Sequence, residues 1–287
     1  MLVNIAIVTD STCDWKPELY AARHVEMVPL KIQVDGESFA DQIEISTEDF
    51  YDRMIAAEDL PTTSQPSPFD FARVFERLAA QGYDGAVCLH IALPLSGTPQ
   101  AAQIAANDAP LDVRVLDTCC ATAELGLLVD RACELRDSVV SLDELCDALT
   151  AFRAEERIVL VPETLTNLVR GGRFPEEAAK QAGMLNIRML LTLDEAEGKV
   201  AVIGKAKGAK GVVKELVAYV QNYVAEHGPA RLRLVHCRNQ KLVDTLLDAL
   251  REAAVDFEVT SIDSCGATIA THLGMGAIGV AMAPAER

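Results

Sequence analysis

The sequence predicts an α/β protein in two parts: an N-terminal part on a mainly parallel sheet with flanking helices, and a C-terminal part on a mixed α/β sheet. Three observations predict it. Short apolar runs alternate with amphipathic stretches of helical length, the pattern of strands joined by crossover helices. Several of the helical stretches open on their own capping residues. Two strand-like runs in the second half are separated only by Asp194–Gly198, short enough to join them as an antiparallel hairpin.

Taken in order, Val3–Val8 reads as the first strand and Met27–Val34 as the second. Thr47-Glu48-Asp49 opens a helix that contains Phe50 and Met54. Ser67-Pro68-Phe69-Asp70 starts the next, with an N-cap serine, proline at the first helical position and an acid in the first turn. Ala86–Ile91 is a strand, Gln100–Ala106 an alanine-rich helix and Val113–Leu116 a further strand. Ser141-Leu142-Asp143-Glu144 is a capping box, and Leu142, Leu145, Cys146 and Leu149 recur at helical spacing on one apolar face. The second part carries strands at Ile158–Val161, Met189–Leu193, Val200–Ile203, Leu232–His236, Phe257–Ser261 and Ile278–Met282. No Gly/Ser/Pro linker separates the parts. A division into 1–155 and 156–287 is therefore approximate and leaves room for interleaving.

Composition narrows the function classes. The chain has 287 residues, 50% of them hydrophobic, enough for a substantial core. A net charge of −17 repels phosphate backbones and anionic lipid, so neither nucleic-acid binding nor stable membrane insertion is expected. The start, Met-Leu-Val-Asn-Ile-Ala-Ile-Val, reads as a strand and not a signal peptide, and no apolar run reaches the ~18–20 residues of a membrane span. A cytoplasmic location is the resulting expectation. The cysteines at 13, 88, 119, 120, 133, 146, 237 and 265 form no CxxC pair and no zinc-spaced cluster, so no metal is expected. Disulfides are disfavoured in that setting.

Several segments carry chemistry-bearing residues. Thr9-Asp10-Ser11-Thr12 comes after the first strand, where ligands sit in open α/β sheets; the alternative is that Asp10 and Ser11 cap the next helix. Thr62-Thr63-Ser64-Gln65-Pro66-Ser67-Pro68 clusters hydroxyls ahead of a helix, enough to hold a carboxylate or phosphate, though one of them suffices as a cap. Leu95-Ser96-Gly97-Thr98-Pro99 leads into the alanine-rich helix. Gly97 permits close backbone approach, and Ser96 and Thr98 offer donors to an anion. Arg170-Gly171-Gly172-Arg173 reads as a helix C-cap with favourable arginines, or as a placement of Arg173 in a cleft. His272 precedes a glycine-rich turn, where a neutral imidazole can donate to a ligand oxygen. Lys199, Lys205, Lys207, Lys210 and Lys214 crowd one stretch of an acidic chain. Lys207 and Lys210 near a helix start oppose its dipole, which points to docking of an acidic partner over a merely solvated face. No Walker A loop, kinase signature or nucleophile elbow is present.

In register across the chain, IVTDST at 7–12, VPL at 28–30, TTSQPSP at 62–68, SGT at 96–98, GGR at 171–173, GK at 198–199 and GATIATHLGMGAIG at 266–279 resemble the DegV family, including the fatty-acid-binding subunits of bacterial fatty acid kinase. That resemblance implies two α/β domains around a tunnel holding one long-chain fatty acid and no other cofactor. It places the carboxylate on Thr63 or Ser64 and on Ser96, with Gly97 and Thr98 nearby, and brings in Arg173 and His272. It also implies that a separate ATP-binding subunit phosphorylates the bound acid, so that this chain is a carrier and not a self-sufficient enzyme. Lys207 and Lys210 stand where partner-docking arginines are common in the family. Two other readings stay open: a serine hydrolase or transferase using Ser96 or Ser64 with His272, and a lipid-sensing regulatory module signalling through the lysines.

Overall fold

The computed structural model describes residues 3–177, 179 and 187–285. Three sheets organise them. The first is parallel throughout, in the order β2 (Val25–Val28), β1 (Ile5–Asp10), β6 (Gly85–Leu89), β7 (Asp112–Leu116). Its strands are joined through α1 (Pro17–Ala22), α3 (Pro68–Ala80) and α4 (Thr98–Ala106). The second has six strands in the order β10 (Val200–Lys207), β9 (Ile187–Leu193), β8 (Arg157–Val161), β13 (Ile278–Pro284), β11 (Ala230–His236), β12 (Phe257–Ser264). It is antiparallel except for β11 against β12, so it is mixed as expected. The predicted hairpin is present: β9 and β10 pair antiparallel around the turn at 194–199.

One predicted strand is two. Met27–Val34 divides into β2 and β3 (Lys31–Val34), which lie in different sheets. Pro29 has no N–H for a ladder, and the N–H of Leu30 donates to the Ser11 hydroxyl at 3.1 Å instead of to a strand. The chain turns there. β3 then pairs antiparallel with β4 (Glu37–Ala40) and with β5 (Thr62–Ser64), a short strand formed by part of the hydroxyl-rich segment. This small sheet and α2 (Thr47–Ala56) pack against α10 (Ala267–Leu273), close to the C-terminus.

Between the two larger sheets runs α5 (Thr122–Leu135), followed by α6 (Leu142–Glu155). Every α5 residue from Thr122 to Asp130 is buried. A helix covered on all sides belongs in a core, and this one touches β1 and β6 on one side and β11 and β13 on the other. Gly126 leaves room for Arg233, which is fully buried and bonds Asp130 at 2.8 Å and Asp263 at 3.0 Å. Helices α8 (Gly208–His227) and α9 (Gln240–Glu252) cover the six-stranded sheet, and α7 (Thr166–Arg170) comes after β8.

Candidate functional site

The loops after β5 and β6, the ends of α7 and α10, and the inner faces of β8, β9 and β10 enclose a cavity of about 320 Å³. That volume falls within the range of small-molecule sites. Most of its wall is aliphatic: Leu30 and Ile91 come from the N-terminal half, Leu160, Leu191, Leu193 and Val200 from the mixed sheet, Ile269 and Leu273 from α10. Two threonines on the wall turn their hydroxyls outward. Thr122 Oγ1 donates to Asp14 at 2.6 Å and Thr268 Oγ1 donates to Asp41 at 2.6 Å. Burial pushes both aspartates above the usual carboxylate range. These hydroxyls are spent on the scaffold, so the stem of the cavity stays apolar.

The polar wall is one connected cluster. Thr63 on β5 and His272 on α10 meet through Oγ1 and Nε2 at 3.0 Å. The other ring nitrogen of His272 is buried with no partner among the described residues and lies against Gly171, where a Cβ would come within 2.5 Å of Nδ1. Glycine is needed at 171 for this approach, while Gly172, at φ +74°, supplies the left-handed turn that ends α7. Arg173 then reaches across to donate from Nε to the Leu95 carbonyl at 3.1 Å, and its Nη1 donates to Gly171. Next to Leu95, the Ser96 hydroxyl sits 2.9 Å from Thr98 Oγ1 and accepts from the Thr98 N–H at 3.3 Å. Gly97 is covered by the Gln65 side chain so closely that a Cβ would sit 2.0 Å from its Oε1.

Burial, and then the nearby Arg173 charge, push the His272 pKa down to about 4. The imidazole is therefore neutral near pH 7. The cluster presents neutral hydroxyl and imidazole groups, with one guanidinium engaged on backbone carbonyls. It suits an anionic head group held for orientation more than one clamped by opposite charge.

Thr63, Ser64, Ser96, Gly97, Arg173 and His272 all line this cavity. Thr98 is fully buried behind Ser96 and contacts it from outside the wall. Lys207 and Lys210 do not reach the cavity; they are exposed at the start of α8. The Asp10-Ser11-Thr12 segment is a brace: Asp10 accepts from Thr12 at 2.9 Å, from the Ile91 N–H at 3.0 Å and lies 3.1 Å from His90 Nδ1. Neither serine meets the histidine a nucleophile needs, since His272 pairs with Thr63 and Ser96 with Thr98. Gln65, Thr122 and Thr268 are wall residues that sequence reasoning did not single out. Gln65 lies inside the hydroxyl-rich motif and Thr268 inside the glycine-rich one, but Thr122 has no local signal. Among the described residues no cluster of three metal-ligating side chains occurs, and no helix is long and apolar enough to cross a membrane.

A family model described as "Uncharacterised protein, DegV family" matches residues 4–285. The chain belongs to the DegV family. A DegV domain-containing protein from Deinococcus radiodurans is 33% identical over 282 residues, covering 98% of this chain and 99% of the relative. Among solved structures, a fatty-acid-binding DegV family protein from Thermus thermophilus superposes with a TM-score of 0.90 at 32% identity, over 99% of this chain and 100% of that one. A DegV lipid binding protein from Thermotoga maritima gives 0.88 at 27% identity, again over 99% and 100%. DegV from Bacillus subtilis, described as a fatty acid binding protein, gives 0.88 at 25% identity with the same coverage. These DegV structures share the α/β architecture with its parallel and mixed sheets.

Proposed function

We propose that this chain binds one long-chain fatty acid in the cavity, tail along the aliphatic stem and carboxylate at the Thr63–Ser96–His272 cluster. The observation that carries the reading is the polarity of the cavity wall: aliphatic along its stem, with the hydroxyls of Thr122 and Thr268 turned away, and hydroxyl-rich in one connected cluster. The fatty-acid-binding DegV structures support the same ligand class. About fourteen methylenes of a saturated C16 tail, at ~0.8 kcal/mol each, supply roughly 11 kcal/mol before the costs of association. The tail sets affinity and the polar cluster sets orientation.

On the same reading the two halves, 1–155 and 156–287, clamp the tail between them. The bound acid is presented to a separate ATP-dependent acyl kinase, and the chain carries the resulting acyl phosphate. Neutral ligands at the head group leave the carboxylate nucleophilic, whereas a tight ion pair would quench it. Phosphoryl transfer needs nucleotide, magnesium and a phosphate cradle, which this reading assigns to the partner. Lys207 and Lys210 form the docking patch for it.

Denaturing mass spectrometry of the purified chain tests the ligand, with a co-purifying C14–C18 acid expected. Delipidated protein with no affinity for any such acid sinks the reading. Ser96→Ala tests the site: acyl-phosphate yield with the partner kinase falls more than palmitate affinity does, and an unchanged yield removes Ser96 from the head-group site.

A further inference from the structure

We propose that Cys237 and Cys265 are a disulfide-forming pair at the root of α10, tying the redox state of the chain to the cavity wall. β11 and β12 run parallel, and their last register pair is His236 with Ser264. The two cysteines are the residues immediately after the two strands, and the N–H of Cys265 donates to the His236 carbonyl at 2.9 Å. Neighbouring strands lie about 4.8 Å apart, inside the roughly 4.4–6.8 Å Cα separation that a disulfide spans. Side chains in register on parallel strands leave the sheet on the same face. The two residues belong to one core cluster and both are fully buried. The Tyr51 hydroxyl holds the two strand ends together, 2.6 Å from the Cys265 carbonyl and 3.3 Å from that of His236.

The pair is joined to the cavity by a short rigid path. The Gly266 N–H donates to Asp14 at 2.8 Å, and the N–H groups of Ala267 and Thr268 donate to Asp41 at 3.3 and 3.1 Å. One turn further on, α10 carries Ile269, His272 and Leu273 on the cavity wall. Shortening a thiol contact to an S–S bond of about 2.05 Å draws Cys265 toward Cys237 and loads these bonds. The wall then shifts at His272.

The oxidant is a hydroperoxide. One thiolate attacks its terminal oxygen, the O–O bond breaks and the alcohol leaves, giving a sulfenic acid. The second thiol attacks that sulfur, the S–O bond breaks and water leaves. Two protons and two electrons pass from the thiols to the hydroperoxide. The neighbouring Cys237 side chain and burial hold the Cys265 thiol well above its usual range, so its thiolate is scarce and the reaction is slow. Both thiols are buried, so the hydroperoxide reaches them only on local opening, and β12 is the edge strand of its sheet.

The chemical half of this proposal is independent of the ligand; the coupling rests on the fatty-acid reading. The test treats the full chain with hydrogen peroxide, alkylates residual thiols under denaturing conditions and maps peptides without reduction. The expected product is one crosslink between positions 237 and 265, reversed by dithiothreitol and lost in both Cys237→Ser and Cys265→Ser. Palmitate affinity changes on the order of tenfold between the two forms, the size of one disturbed hydrogen bond, and recovers on reduction. Oxidation that stops at sulfinic acid, or a crosslink between other cysteines, overturns the disulfide site. Equal affinity in both forms overturns the coupling. A reduced chain that binds no fatty acid sinks the ligand reading and the coupling with it, while the crosslink alone still decides the disulfide.

Discussion

At the scale of the residue, His272 shows how position converts an ordinary side chain into a neutral donor or acceptor. Burial and the Arg173 charge depress its pKa from 6.5 to about 4. A depressed folded value means that the stability it contributes is fully present above pH ~6.5 and is lost as pH falls toward ~4. His272→Gln removes this term. Urea titrations at pH 7 and pH 4.5 are expected to show a smaller acid loss in the variant, by at most about 1.4 kcal/mol per pH unit between those limits. Gly171→Ala tests the close approach behind the ring, because its Cβ would meet Nδ1 at 2.5 Å. Displaced from Thr63, the imidazole no longer completes the head-group cluster, and palmitate affinity measured by calorimetry drops several-fold while the fold survives. The residue identities of this cluster were legible, since Thr63, Ser64, Ser96, Arg173 and His272 stand in short motifs. Their mutual distances were not, because β5 and α10 are separated by most of the chain.

At the scale of the element, α5 carries the largest load. Its burial against two sheets places charged side chains such as Glu124 and Asp130 inside the molecule. Gly126 makes room for Arg233, and a Cβ there would lie 2.8 Å from Nε. Gly126→Ala is expected to destabilise the chain by about 1–3 kcal/mol, as overpacking does, seen as a lower urea midpoint. Near the start of α5, Glu124 is fully buried, and burial raises its pKa to about 7 against the opposing charge of Arg153. Burial first, and then Glu124, also hold Glu156 well above the usual carboxylate range. A carboxyl whose folded pKa is raised contributes stability below its unfolded value near 4.5 and loses it as pH rises through ~7. Glu124→Gln is expected to flatten the decline between pH 5 and pH 8.5 in thermal melts; an unchanged slope would show that Glu124 does not titrate in that window.

At the scale of the whole molecule, stretches far apart in the chain build one site. Residues 30–97 supply the hydroxyl-rich wall, residues 160–200 the aliphatic floor and residues 268–273 the histidine. The lysines lie apart from it, on the exposed start of α8. If they dock the proposed kinase, Lys207→Glu combined with Lys210→Glu lowers partner-dependent acyl-phosphate formation at least tenfold, while palmitate affinity stays within twofold, roughly the separation expected for charges outside the binding pocket. Equal loss of both would assign the lysines to folding instead.

Local pattern alone determined the strand and helix alternation, the β9–β10 hairpin, the helix starts at Thr47, Pro68 and Leu142 and the mixed character of the second sheet, because periodicity and capping are properties of a few neighbouring residues. It could not tell Leu160, Leu191, Leu193 and Val200 from ordinary core strand residues, since a residue facing a cavity and one facing a packed core are equally apolar. It also missed the break at Pro29, where the decisive partner of Leu30 is Ser11 on another element. Whether the space between the sheets is filled or open depends on how remote surfaces meet, and only the tertiary structure decides that.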